Sequence, residues 1–300
     1  MQALFIGHSY IDITFVTSHF PTGDEKALAD DYAVSFGGNA VVAAFCCARL
    51  GVIPDLMTTI GDDWLSRMFR DMASRYGMPL HTRTVREMSL SFIMPNNGKR
   101  AIVRCRDDDH LHPFPTLNLR GCRALHVDGH QPDAALHYAR LCREAGVLTS
   151  LDGGAVRENT DELLRYIDVA VVSERMCEQM ELNPQDMLAY LSSRGCAVSA
   201  VTLGERGMVW REKTGDIREM PALPIPQENV RDTNGAGDIF HGSYVYSCLA
   251  RPEASWEEHF QFARAASAHS VQHLGIEASL PTRFDVEALM RDMEETLRAS

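Results

Sequence analysis

Residues 124–151 read ALHVDGHQPDAALHYARLCREAGVLTSL. They open on an apolar run of strand length at 124–127, pass into a helical pattern over 132–145, and return to a second apolar run at 148–151. Pro132 suits a helix first turn, where its missing N–H has no intrahelical partner to lose. Gly146 suits the C′ position, which favours a left-handed backbone. Two strands separated by a helix in this way form a right-handed crossover and run parallel.

The same unit recurs along the chain. Further apolar runs lie at 3–6, 56–60, 169–172 and 200–203, with helical patterns near 39–50, 63–76, 157–166 and 185–194, and Gly51, Gly77 and Gly195 as stops. The strands are continuously apolar, as strands covered on both faces are. Three more helices are expected near 235–249, 256–273 and 284–298. The expected fold class is α/β, a doubly wound, mostly parallel sheet flanked by helices. Residues 10–35 and 84–106 break the rhythm by alternating apolar and polar, as in Ser89-Leu90-Ser91-Phe92-Ile93-Met94. The turn Pro95-Asn96-Asn97-Gly98 before Ala101-Ile102-Val103 is a hairpin signal. These stretches predict a small inserted sheet of antiparallel strands, placed to act as a lid over the strand ends or as a dimer surface.

Composition removes several function classes. The chain has 300 residues, 29 Lys+Arg against 41 Asp+Glu and a net charge of −12, so it has no net-basic footprint for nucleic acid or an anionic membrane. Its longest apolar run, 40–48, falls far below the ~20 residues of a bilayer-spanning helix. Met1-Gln2-Ala3 runs straight into the first strand with no leader pattern, so a soluble cytoplasmic protein is expected. The eight cysteines form no C-x-x-C pair, which argues against zinc-ribbon and redox motifs and for reduced thiols.

Chemistry concentrates in Val230-Arg231-Asp232-Thr233-Asn234-Gly235-Ala236-Gly237-Asp238-Ile239-Phe240-His241-Gly242, at the start of a helix. Small residues let the backbone approach a ligand, and the unpaired N–H groups of a helix start favour an anion. Asp238 among those donors is either a dipole-favoured first-turn acid or a general base. No Gly-x-x-x-x-Gly-Lys-Ser/Thr is present, and Phe240 stands where a dinucleotide fingerprint needs its third glycine, so neither nucleotide motif applies. His110-x-His112 beside Asp107–Asp109 precedes Pro113 and Pro115 and reads as a solvated acidic turn. The stripe Ile239, Phe240, Ser243, Tyr246, Ser247 reads as helix packing.

Asp232-Thr233-Asn234-Gly235-Ala236-Gly237-Asp238 resembles the second signature of the ribokinase-like (PfkB) carbohydrate kinases. The first signature is matched by Phe36-Gly37-Gly38-Asn39 and its following small-residue helix, and Thr202-Leu203-Gly204-Glu205-Arg206-Gly207 is similar to the family's nucleotide loop. Order and spacing agree over essentially the whole chain. The resemblance implies an ATP- and Mg2+-dependent kinase acting on a sugar hydroxymethyl group. Asp238 is then the catalytic base and Gly235, Ala236 and Gly237 the anion hole. Thr202, Gly204 and Gly207 border the nucleotide. Asp12, Gly37, Gly38 and Asn39 hold sugar hydroxyls, although Asp12 also reads as a turn residue and Asn39 as a helix cap. Asp232, Gly275 and Ser279 match the family's monovalent-cation (K+) site. The family's Asn-x-x-Glu metal motif is not kept, since Ser173 and Met176 occupy its ends, leaving Glu174, Glu178 or the nucleotide itself to hold magnesium.

Substrate identity stays open between a neutral sugar, an acidic sugar and a nucleoside. Lys26, Arg104 and Arg106 offer cations to an anionic substrate if their face meets the cleft, but edge strands also carry such residues for solubility, and Asp107–Asp109 adjoin them. Phe15, Phe20 and Phe92 are the aromatics that would stack a nucleoside base. A sugar-sensing protein without catalysis is the non-enzymatic alternative, and a homodimer through the lid is the expected assembly.

Overall fold

The computed structural model describes residues 1–299 apart from 18, 20, 97, 98 and 214, and gives the backbone alone for 96, 99, 100 and 293–299. Phe20 and the Asn97-Gly98 part of the expected hairpin turn therefore lie outside the described residues.

In chain order, β1 (Ala3–Gly7) leads to β2 (Tyr10–Val16), β3 (Asp31–Gly37) and α1 (Asn39–Leu50). Next come β4 (Asp55–Ile60), α2 (Trp64–Arg75), β5 (Leu80–Thr84) and the hairpin β6 (Ser89–Asn96) and β7 (Lys99–Cys105). The alternation continues through β8 (Ala124–Val127), α3 (Pro132–Glu144), β9 (Leu148–Gly153), α4 (Thr160–Leu164), β10 (Val169–Ser173), α5 (Glu174–Gln179), α6 (Pro184–Ser193) and β11 (Val198–Thr202). Then β12 (Met208–Glu212), β13 (Arg218–Met220), α7 (Ala236–Ala250), α8 (Trp256–Ser270), α9 (Ile276–Ser279) and α10 (Arg283–Ala299) complete the chain.

The main sheet has the order β13-β12-β11-β10-β9-β8-β1-β4-β5, parallel from β11 to β5 and antiparallel at β12 and β13. Every strand expected from its apolar run is present, and helices cover both faces. Alternation along β1 splits the core, with Phe5 packing among α1, α2, α7 and α8 and Leu4 and Ile6 among α3, α4 and α6. Three sheet strands carried no such signal. Leu80-His81-Thr82-Arg83-Thr84 in β5 is polar at every other position because it is an edge strand, and β12 and β13 leave the parallel pattern altogether.

The small sheet has the order β3-β2-β6-β7. Its two hairpin-like pairs are antiparallel, and a parallel pairing of β2 with β6 joins them. Both switches of direction follow from topology: the chain leaves the main sheet twice, after β1 and after β5, and enters the small sheet twice.

All eight cysteines are unpaired, six of them buried. Among the described residues no helix is long and apolar enough to cross a membrane.

Two helices set the position of the chemistry. A Cβ added to Gly242 of α7 would lie 2.3 Å from the Ala43 carbonyl of α1, so these helices pack backbone to backbone. Their N-termini, Asn39 and Ala236, both begin at the same end of the sheet as the carboxyl ends of β1, β8 and β9. That end of an open α/β sheet, where strand order reverses, is the usual ligand crevice.

Candidate active site

The small sheet presents one face to this crevice. Registered pairs put Asp12, Ser35, Ser91 and Arg104 in one row across it. Asp12 is 6% exposed, and Asn234 Nδ2 donates to its Oδ2 at 3.4 Å, tying the loop before α7 to β2. Burial pushes the Asp12 carboxyl above its ordinary value, with Arg104 and Asn234 opposing. The turn reading of Asp12 is thereby replaced, because it is a strand residue facing the cleft.

Gly37 and Gly38 are required by close approach. A Cβ on Gly37 would fall 2.4 Å from the Asp12 carboxyl, and one on Gly38, at φ 106°, would fall 2.0 Å from the His8 carbonyl oxygen. Gly38, not Asn39, is the N-cap of α1. Asn39 instead sends Nδ2 across to Asp152 Oδ2 at 3.0 Å.

Gly235, at φ 77°, is the left-handed N-cap of α7, and Ile276 blocks any side chain there. Asp238 lies half-buried in the first turn, and a Cβ on Gly237 would meet open space. Ala236 and Gly237 form one wall of a hollow of about 670 Å3 whose other walls include Thr202, Gly204, Gly207 and Leu223. Gly204 (φ 60°) and Gly207 (φ 90°) turn the chain from β11 to β12. An elongated ligand in this hollow would end against the amide groups at the start of α7, where negative charge is favoured.

Asp232, Gly275 and Ser279 also come together. Asp232 is buried, its Oδ1 accepts from the Asn234 N–H at 2.8 Å and its Oδ2 from the Gly275 N–H at 3.3 Å. Ser279 N–H bonds the Gly275 carbonyl, and its hydroxyl donates to Ile276 O at 2.8 Å. The group is oxygen-rich, the donor type that hard cations take. At the departed metal motif, Ser173 donates to Gly154 O, Glu174 pairs with Arg206, Met176 is in the core and Glu178 is exposed. With its nearest carboxylate committed to an arginine, this segment does not fit a magnesium site.

Lys26 lies exposed in the connection between β2 and β3, next to the His19–Glu25 pair, and makes no ion pair of its own among the described residues. Arg104 stacks over the Tyr10 ring at 5.3 Å, and Arg106 pairs with Asp108 at 2.7 Å. Asp107 accepts backbone N–H groups from Arg86, Glu87 and Asp109, which makes the acidic run a structural turn.

Residues that the sequence reading passed over complete the site. Asp128 and His130 follow β8, Asp152 is the penultimate residue of β9, Arg157 follows β9, and His241 lies in the first turns of α7. Asp128 is buried. Although burial opposes it, His130 and Arg157 hold its carboxyl well below the usual range. Asp128-Gly129 and Asp152-Gly153, each an acid and a glycine at the end of an apolar strand, were the available signal.

The model of the family described as pfkB family carbohydrate kinase matches residues 2–283. The chain is 25% identical to the ribokinase of Haemophilus influenzae, covering 93% of this chain and 94% of that one. It is 25% identical to the ATP-dependent ribose-1-phosphate kinase of Halopiger xanaduensis over 97% and 99% of the two chains. The structure of Arabidopsis thaliana ribokinase complexed with ribose and ATP superposes with a TM-score of 0.80 at 22% identity, covering 97% and 98%. A fold shared end to end, both glycine signatures lining one crevice, and a family match over nearly the full length make this chain a member of the pfkB family of carbohydrate kinases.

Proposed function

We propose that the chain transfers the γ-phosphoryl group of ATP to a hydroxymethyl group of a sugar that also bears an anionic substituent. ATP occupies the hollow between β11 and α7, with its γ-phosphate at the amides of residues 235–237. Asp238 takes the hydroxyl proton as that oxygen attacks phosphorus in line and the bond to the β-phosphate oxygen breaks, releasing ADP. Asp12, Gly37, Gly38 and Asn39 hold the sugar, and the small sheet closes over it to exclude water. Magnesium would be held by the nucleotide's own phosphates and not by residues 173–178. Asp232, Gly275 and Ser279 would hold a monovalent cation, whose charge supports the anion hole from behind. The chain works in the cytoplasm, where ATP is available.

Arg157 is the observation that carries the substrate class. Half-buried, it donates Nε to the Asp128 carbonyl at 3.1 Å and a terminal nitrogen to His130 Nε2 at 2.7 Å, so its hydrogen bonds go to a backbone oxygen and a ring nitrogen while the Asp128 carboxylate acts on it through charge alone. It lines a hollow of about 460 Å3 with Arg106, His110 and His130; of the three acids on that rim, Asp108 and Asp133 are paired with Arg106 and Arg83, and Glu158 is exposed. We place this hollow next to the sugar cleft because the Tyr10 phenol, on the same face of β2 as Asp12, has Arg104 over its ring and feels the charges of Arg106 and Arg157. A guanidinium with donors to spare suits a carboxylate, phosphate or sulfonate. The Halopiger xanaduensis relative is named for a sugar phosphate.

A nucleoside is disfavoured because Phe15 and Phe92 lie on the other face of the small sheet from Asp12, where alternation along β2 puts them. The test is kcat/KM on matched neutral, phosphorylated and sulfonated hexoses for the wild type, Arg157→Ala and Arg104→Ala. Loss of a charge-assisted contact is expected to lower kcat/KM about ten- to a hundred-fold on the acidic sugar alone. Equal losses on neutral and acidic sugars would reassign both arginines to structure and leave a neutral substrate.

A further inference from the structure

Beneath the Gly37–Asn39 turn, a row of polar side chains is shut away from solvent. Asn39 Nδ2 donates to Asp152 Oδ2 at 3.0 Å, and Asp152 Oδ1 lies 3.5 Å from His241 Nε2. His241 Nδ1 is 3.2 Å from the Tyr244 hydroxyl, which is 2.5 Å from Ser150 Oγ, itself 2.8 Å from His126 Nδ1. His126 Nε2 is buried with no partner. Burial lowers the pKa of both imidazoles to about 3, so each ring carries one N–H and one lone pair.

Counting protons leaves two arrangements. Four links join Asp152, His241, Tyr244, Ser150 and His126, and the last four groups supply one proton each. In the first, His126 Nδ1–H donates to Ser150, Ser150 to Tyr244, Tyr244 to His241 Nδ1, and His241 Nε2–H to the carboxylate. Every link is filled, the chain ends on a charge, and the only orphan is an acceptor, His126 Nε2. The reverse direction places the His241 Nε2 lone pair against Asp152 Oδ1, which requires a neutral Asp152, and strands a buried N–H on His126. Buried orphan donors are the rarer and costlier defect. His126, Asp152 and His241 also stand close enough to suggest a divalent cation. That ion would need both Nε2 lone pairs, driving both Nδ1–H groups onto the two hydroxyls and leaving one hydroxyl proton with no acceptor among them. The count therefore favours a hydrogen-bond chain over an ion.

We propose that this one-way chain, with His241 as its positioning residue, fixes the orientation of the Asn39 amide for the sugar; this rests on the reading of Asn39 as a sugar ligand given above. Burial pushes the Asp152 carboxyl above its ordinary value and the Asn39 amide donor opposes that shift; against the carboxylate form that the chain requires, a flipped amide would set Oδ1 towards like charge. Asn39 Oδ1 is thereby kept as an acceptor for a substrate hydroxyl, which makes the chain a determinant of sugar affinity distinct from phosphoryl transfer.

The experiment has two arms. Nitrogen-15 NMR of histidine-labelled protein at pH 7 is expected to show the Nε2–H tautomer for His241 and the Nδ1–H tautomer for His126. The opposite tautomers, or a joint shift of both Nε2 signals on adding one equivalent of Zn2+, would overturn the chain. In kinetics, His241→Phe removes the donor and keeps a flat ring, and is expected to raise the sugar KM about ten-fold while kcat and the ATP KM stay within two-fold. His241→Gln restores a donor near the Nε2 position and is expected to recover most of the affinity. A Phe variant with the wild-type sugar KM would overturn the positioning role; if that variant does not fold, the tautomers decide. Failure of the wild type to phosphorylate any sugar would sink the functional reading while leaving the tautomer result standing.

Discussion

In the proposed function, Asp238 is the residue on which the kinase chemistry turns. It occupies the first turn of a helix whose cap, Gly235, is left-handed and whose next residues open into the nucleotide hollow. Asp238→Asn keeps the shape of the loop and removes the proton acceptor, so ATP binding measured by calorimetry is expected to persist while turnover falls at least ~10²-fold. Near-normal turnover by coupled ADP release would remove Asp238 as the base. Asp238, Asp12 and the two glycine signatures were legible because backbone approach restricts the residue type to a few. Arg157, Asp152 and His241 were not, because an arginine, an aspartate and a histidine occur for many reasons. Only their meeting at the ends of β8 and β9 and the start of α7 gives them a common purpose, and that meeting depends on strand order.

At the scale of elements, α1 and α7 bring the Gly37–Asn39 turn, our proposed sugar loop, and residues 235–237, our proposed anion hole, together. Their closeness depends on Gly242, where a Cβ would press on the Ala43 carbonyl at 2.3 Å. Two effects compete in Gly242→Ala. Alanine favours a helix by about 1 kcal/mol over glycine, whereas overpacking typically costs about 1–3 kcal/mol. The obstacle here is backbone, which gives less readily than a side-chain tip, so a net destabilisation of about 1–2 kcal/mol is expected in urea unfolding, with a lowered kcat as the two helix starts move apart. A variant as stable as the wild type would show that Gly242 does not limit the approach. Both helices were readable from sequence, α1 to its boundaries, because buried helices end at glycines and begin at small residues. The edge strand β5 and the β12–β13 pair were not readable, since half-exposed edges lose the continuous apolar run that betrays a parallel strand. The parallel join of β2 to β6 was hidden as well, because alternation reports a half-buried strand but not its direction.

For the whole molecule, the unspent feature is the outer face of the small sheet. Side chains alternate across it, so the face opposite Asp12 carries Ile13, Phe15, Tyr32, Val34, Phe92 and Val103. Tyr32 is 66% exposed, Val103 64% and Phe92 36%, and Phe15 lies 5.4 Å from Phe92 and 6.1 Å from Tyr32 by ring centroids. An apolar patch of this continuity on a chain of net charge −12 is a contact surface. We propose a second copy as its occupant, since self-pairing would cover both patches at once. Burying Tyr32, Phe92 and Val103 from each copy, at about 1.5–3 kcal/mol apiece, yields up to about 9–18 kcal/mol against an association cost of about 4–15 kcal/mol. Such a dimer would also stiffen the sheet that closes over the sugar, so losing it is expected to raise the sugar KM more than the ATP KM. Light scattering should give twice the 33.4 kDa chain mass for the wild type and the single-chain mass for a Phe92→Asp, Val103→Asp double variant. The variant side chains stand on the solvent face, so its thermal unfolding should stay close to that of the isolated wild-type chain. A wild type that runs as a monomer at tens of micromolar, or a double variant that still pairs, would move the interface elsewhere and leave the patch without a partner in this molecule.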